Sequence, residues 1–88
     1  MAEPMYLYDE VEDTQTRYVS FVDDTARFDL ALITTERFYG KTLVLNLQSN
    51  RYAIIGQDDL EEPGYLEKVY GIGHEEAERL KQFLLSVV

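Results

Sequence analysis

A series of β-prone segments between positions 16 and 55 most constrains the fold of this chain. The segments are rich in β-branched, aromatic and leucine residues, which pack well on a pleated surface. They comprise residues 16–22, 27–34, 42–47 and 51–55. Connections between them are short, which forces neighbouring strands to be antiparallel. The sequence therefore predicts a four-stranded antiparallel meander, with residues 5–8 as a candidate fifth strand.

The turns and the side-chain alternation add detail to this sheet. Residues 23–25 are predicted to form a turn, because Asp side chains bond nearby backbone amides. Alternation places one apolar set of the second strand on a single face: Phe28, Leu30 and Leu32. In the third strand it groups Leu43, Leu45 and Leu47. We expect this leucine face to be the one that the helices cover.

The C-terminal third of the chain is predicted to be helical. Residues 65–70 form a short helix that Gly71 can end in a left-handed conformation. A longer helix runs from about residue 74 to 85, with Gly73 as its N-cap. Its apolar stripe consists of Ala77, Leu80, Leu84 and Val87. The predicted fold is a single α+β domain, residues 1–88, with one short and one longer helix packed on one face of the meander.

Composition restricts the function. The chain carries 17 acidic and 8 basic residues, a formal charge of −9, which disfavours nucleic acid and anionic membranes as partners. No apolar run approaches the roughly 20 residues that span a bilayer. The acidic start does not resemble a signal peptide, and the absence of cysteine excludes disulfides. These features are typical of a cytoplasmic protein.

One short motif favours a nucleic-acid-binding function instead. Residues 66–80 resemble a helix-hairpin-helix DNA-binding module, in which backbone N–H groups of the Gly71–Gly73 hairpin would hold a phosphate. Glu75 and Glu76, however, follow that hairpin where such modules usually carry Lys or Arg. The competing interpretation is a plain helix–turn–helix packed on the sheet.

Catalytic and metal chemistry have little support. Two acidic runs, residues 9–13 and 58–62, could attract a divalent cation, but neither has EF-hand spacing. His74 is the single histidine, and no serine is near it in sequence. We therefore expect no enzyme activity, no catalytic residue, no cofactor and no metal site. A small-ligand or divalent-metal-binding protein is the second alternative to an interaction module, after the nucleic-acid binder.

The connection between the second and third strands is the candidate binding site. Residues 37–41 combine two bases and two aromatics with no acid, and loops on a rigid sheet often carry function. We expect Arg37, Tyr39 and Lys41 to bind an anionic group or an acidic protein segment. The alternative is that Arg37 and Lys41 pair with the acidic ends of the same chain.

Four stretches of the sequence carry a family resemblance: residues 27–31, 39–46, 53–56 and 58–66. Through them the chain, from about residue 6 to residue 88, resembles a family of short cytosolic proteins from Gram-positive bacteria that is catalogued as a domain of unknown function. The resemblance implies a compact bacterial domain and supplies no catalytic residue. The expected function is a non-enzymatic protein-interaction or regulatory module, whose protein partner is unknown and could be a second copy of the chain.

Overall fold

The computed structural model describes residues 2–24 and 26–88, and within them four strands form one antiparallel sheet. The strands are β1 (Gln15–Val22), β2 (Arg27–Thr34), β3 (Thr42–Asn46) and β4 (Arg51–Ile55), and they lie side by side in chain order. The predicted meander is therefore confirmed. The turn predicted at residues 23–25 includes Thr25, which is outside the described residues. On either side of it the Asp23 N–H donates to the carbonyl of Ala26 at 3.0 Å.

Three α-helices follow the sheet in the part of the chain that the structure describes. They are α1 (Gln57–Glu61), α2 (Tyr65–Tyr70) and α3 (His74–Val87). The two predicted helices and the α+β class are confirmed. Helix α1 was not predicted, because a helix of five residues is too short to show an apolar period. None of the described helices is long and apolar enough to cross a membrane.

The helices cover one face of the sheet and build the core there. Sheet residues of this core are Phe28, Leu30, Leu32, Val44, Ala53 and Ile55. Helix residues are Leu60, Leu66, Tyr70, Ala77, Leu80 and Leu84. The stripe predicted for α3 is thus confirmed, with Val87 partly buried at its end. The Tyr70 hydroxyl donates to the carbonyl of Val44 at 2.8 Å, which joins α2 to β3 inside the core.

The prediction that the leucines of the third strand face the helices is wrong. Val44 and Asn46 are buried, whereas Leu47 is 46 % exposed. The register explains this: Val44 pairs with Leu32, so the two residues must point to the same face. A strand that is apolar on both sides does not reveal from its own sequence which side is buried. The buried Asn46 is hydrogen-bonded, since its side-chain oxygen accepts the N–H of Gln48.

Residues 2–14, which we call the arm, precede the sheet without regular secondary structure. The candidate strand at residues 5–8 is not formed. Its large side chains are exposed instead: Met5, Tyr6, Leu7 and Tyr8. Val11, further along the arm, is exposed as well.

Candidate functional site

Arg37 lies where the chain passes from β2 to β3, and it holds the base of the arm. Arg37 is the central residue of a 3-10 helix, Glu36–Phe38. Its guanidinium forms ion pairs with Glu10, at 2.8 Å, and with Glu12. The guanidinium carbon lies 5.4 Å from the ring centre of Tyr8, a cation–π distance. The Thr35 hydroxyl donates to Glu12 at 2.5 Å. This hydroxyl first, and Arg37 second, lower the pKa of Glu12 below its usual value.

Lys41 is also engaged within the chain. Its ammonium nitrogen lies 3.0 Å from Asp59 and 3.7 Å from Asp58, at the start of α1. Asp59 in addition accepts the N–H of Gly56 at 2.9 Å, which satisfies a backbone donor at the helix start. The Gly56 N–H and then Lys41 lower the pKa of Asp59. The cluster of Lys41, Asp59 and Gly56 therefore fixes α1 against the end of the sheet.

This cluster predicts a pH-dependent effect of Asp59→Ala. The pKa of the Asp59 carboxyl is lower in the folded state than its unfolded value of 3.8. Asp59 therefore stabilises the folded state at pH values above 3.8, and this contribution is lost as the pH falls through the folded pKa. Asp59→Ala is expected to lower the free energy of unfolding by about 1 kcal/mol at neutral pH, as the loss of a helix cap does. The decrease is expected to be smaller below about pH 4. Thermal melts from pH 7 to pH 3 measure this. Asp58→Ala is the control, since Asp58 is 76 % exposed; an equal loss in both variants would contradict the prediction.

Tyr39 differs from the two cations of the predicted binding set. It is 97 % exposed and has a left-handed backbone with φ of 51°. Arg37 and Lys41 flank it, each ion-paired to carboxylates of the same chain. Exposed ion pairs of this kind contribute little to stability and can exchange partners. The role of Arg37, Tyr39 and Lys41 in binding stays a prediction.

The sheet surface opposite the helices is a further candidate site, which we call the open face. It consists of Tyr18, Ala31, Ile33, Leu43, Leu45, Tyr52 and Ile54, which the registers of the four strands place on one side. Among the described residues, the core cluster that includes the helices contains none of these seven. Tyr18 and Tyr52 are 75 % and 67 % exposed, and Ile54 is 37 % exposed. Ile33, Leu43 and Leu45 are half-buried, and Ala31 is buried. The open face is therefore an apolar layer that lies outside the core built by the helices.

Sequence reasoning missed the open face, although a signal for it exists. Residues 43–47 are apolar on both sides of the strand except for Asn46, and Ile54 and Ile55 are adjacent apolar residues. A strand that is apolar at successive positions indicates burial on both faces. The helices account for the burial of one of these faces and leave the other without an assigned role.

Charged groups lie at one end of the open face and neutralise each other. Asp29 accepts the Ser20 hydroxyl at 2.6 Å and the Arg27 guanidinium at 3.2 Å. The hydroxyl of Ser20, and then Arg27, lower the pKa of Asp29. Asp29 is thereby kept ionised and paired at the margin.

The Gly71–Gly73 hairpin has the geometry of a tight helix connection. Gly71 has φ of 64° and its N–H donates to the carbonyl of Glu67 at 2.9 Å, which ends α2. A Cβ on Gly71 would lie 2.5 Å from the guanidinium of Arg51, so side chains pack closely there. Glu75 and Glu76 occupy the first turn of α3, beside the N–H groups that a phosphate would need.

The acidic first turn of α3 predicts that the protein does not bind duplex DNA at physiological salt, about 0.15 M. Two carboxylates and a net charge of −9 oppose the approach of phosphates. Filter binding with a short labelled duplex, repeated at lower salt, measures this. Saturable retention by the wild type that Gly73→Leu abolishes would contradict the prediction.

Metal binding and small-ligand binding have limited support in the structure. No group of three or more His, Cys, Asp or Glu side chains within residues 2–24 and 26–88 is arranged to hold a metal ion. A groove of about 510 Å³ lies beside the C-terminal end of α3. It is lined by Gln15, Thr16, Arg17, Leu32, Thr34, Thr42 and Val87. Gln15, Arg17 and the three strand threonines supply the polar groups of this groove.

Comparison with known proteins identifies the family. No curated protein matches the chain. The model of the SAV0927-like family matches residues 7–86, which include nearly the whole of the sheet and helix layer as well as the base of the arm. The chain belongs to the SAV0927-like family.

Proposed function

We propose that the protein is a non-enzymatic interaction module that docks another protein through the open face. The observation that carries this proposal is the apolar layer on the side of the sheet opposite the helix-covered core, where Tyr18, Tyr52 and Ile54 are exposed. A sheet with one polar side would expose alternating polar residues there. In this sheet the corresponding positions of β3 and β4 hold Leu43, Leu45, Tyr52 and Ile54.

The composition of the open face supports a protein partner. Tyrosine and aliphatic side chains are favoured at the centres of protein interfaces, where charged residues are depleted. Tyr18 and Tyr52 stand at the two edges of one cross-strand row, and Ala31 and Leu45 lie between them. Such a row offers apolar contact in its middle and hydroxyl groups at its rim.

The loop at residues 37–41 is the second candidate surface, because Tyr39 is almost fully exposed there. Its two cations would have to leave Glu10, Glu12 and Asp59 to receive a new anion. The open face needs no such exchange. We therefore place the docking surface on the open face and the loop second.

The proposal includes a location in the cytosol of a Gram-positive bacterium. It is supported by the resemblance to short cytosolic proteins of such bacteria, by the absence of cysteine and by the acidic composition. Fractionation of producing cells, with detection by antibody, tests the location.

Site-specific photo-crosslinking in producing cells tests the docking surface. A photoreactive phenylalanine analogue replaces Tyr52 on the open face, Tyr39 in the loop, or Gln82 on the exposed side of α3 as the control. We expect a discrete crosslinked product from position 52 that Leu45→Glu in the same chain abolishes. A product from position 39 alone would move the site to the loop, and equal products from all three positions would reject a specific docking surface.

A further inference from the structure

Resting on the proposed function, we propose that the partner of the open face is a second copy of this chain, so that two open faces stack and the two arms complete the contact. The result is a two-fold sandwich with both sheets inside and both helix layers outside.

The shape of the open face fits another sheet. Ala31 is only 3 % exposed although no described helix covers it. Its partners across the strands, Tyr18 and Leu45, are much larger and lie on the same face. At the centre of the face a small buried residue thus lies between two larger side chains on a pleated surface. Two such surfaces pack about 10 Å apart in sandwiches, and a two-fold interface needs one surface that complements itself.

The charge distribution allows two copies to meet in spite of their net charge. Apart from the tyrosine hydroxyls, the seven residues of the open face carry no ionisable group. The nearby Asp29 is already paired with Arg27. Residues 58–88 hold eight acids, and their helices lie on the opposite side of the sheet. Stacking therefore buries no unpaired charge on the face and keeps these eight carboxylates of the two copies apart.

The area of the face explains why the arms are needed. The sheet has four strands. With about 4.8 Å between neighbouring strands and a rise of about 3.3 Å per residue over about five paired residues, its projected area is roughly 300 Å². Standard interfaces bury about 800 Å² per partner. The arm offers Met5, Tyr6, Leu7 and Tyr8, which are 87, 75, 90 and 69 % exposed. Residues 2–9 reach up to about 26 Å when extended, enough to cross a partner's sheet.

Sedimentation of the purified full chain tests the proposal. Wild type is expected to dimerise, and Leu45→Glu to weaken association by about tenfold or more, because it buries a charge. Gln82→Glu adds the same charge on the exposed side of α3 and is expected to leave the dimer unchanged. If Leu45→Glu disturbs the circular dichroism spectrum, Tyr52→Glu replaces it, since Tyr52 is 67 % exposed.

Salt and the arm provide two independent measurements. Raising the salt from about 0.05 M to about 0.5 M should strengthen the dimer, because it screens the repulsion between two chains of charge −9. Replacing Tyr6 and Leu7 together by Ser should weaken it. Association that salt weakens, or that the arm variant leaves unchanged, would overturn the proposed contact.

Monomeric wild type at about 200 µM, well above the micromolar range of weak specific complexes, would also overturn the second-copy proposal. If position 52 then crosslinks a different protein in cells, the docking function stands with another partner. If the chain is monomeric and position 52 gives no specific product, the proposed function fails as well.

Discussion

Leu84→Ala is expected to lower the free energy of unfolding by about 2–5 kcal/mol, because it removes a fully buried side chain and leaves a cavity. Leu84 has 0 % exposure and lies in the stripe of α3 that faces the sheet. A chain of this size has about 4–13 kcal/mol of total stability. The substitution should therefore lower the melting temperature by roughly 8 °C or more.

The neighbouring residue supplies the control for this measurement. Leu85 is 45 % exposed and is not part of the core cluster. Thermal melts of Leu84→Ala and Leu85→Ala, followed by circular dichroism, compare the same chemical change on the two sides of α3. Equal melting temperatures in the two variants would mean that α3 does not pack on the sheet as described.

Val44→Asp should have a still larger effect and is expected to prevent folding at room temperature. Val44 has 0 % exposure, and its carbonyl accepts the hydroxyl of Tyr70 in the core. A carboxylate placed there has no cationic partner among the core residues. Burying it unpaired costs more than about 4 kcal/mol, a large part of the total stability.

Leu47→Asp is the matched test, because the sequence pattern alone placed Leu47 in the core. The structure leaves Leu47 46 % exposed at the end of β3, and surface substitutions usually change stability by about 0.5 kcal/mol or less. Far-ultraviolet circular dichroism and urea titration of both variants, at low protein concentration, distinguish the two registers. A folded Val44→Asp together with an unfolded Leu47→Asp would restore the leucine face as the core.

The loop at residues 37–41 shares one end of the sheet with the base of the arm. Arg37 holds the arm at Glu10 and Glu12, next to the start of β1 and the end of β2. The part of the arm that precedes Glu10 contains exposed aromatic and aliphatic side chains, at residues 5–8. The ion pairs of Arg37 thus attach the base of the arm to the sheet, and the apolar residues 5–8 before it stay exposed.

Short-range chemistry was enough to predict the four strands of the sheet and the two longer α-helices, although not α1. Strand segments, their antiparallel order and the stripe of α3 all follow from period-2 and period-3.6 patterns and from short connections. These features depend on residues within a few positions of each other. The C-cap at Gly71 was predictable for the same reason, since its left-handed φ is a local requirement.

Tertiary structure decided the features that depend on distant parts of the chain. Which face of β3 is buried follows from its pairing with β2, because a strand that is apolar on both sides fits the core in either orientation. The partners of Arg37 and Lys41 are 25 and 18 residues away from them, at Glu12 and Asp59. Composition predicted that such pairs were possible, but only the folded chain brings these particular charges together. The open face has the same origin, since the helices build the core on one side of the sheet and leave the other apolar side outside it.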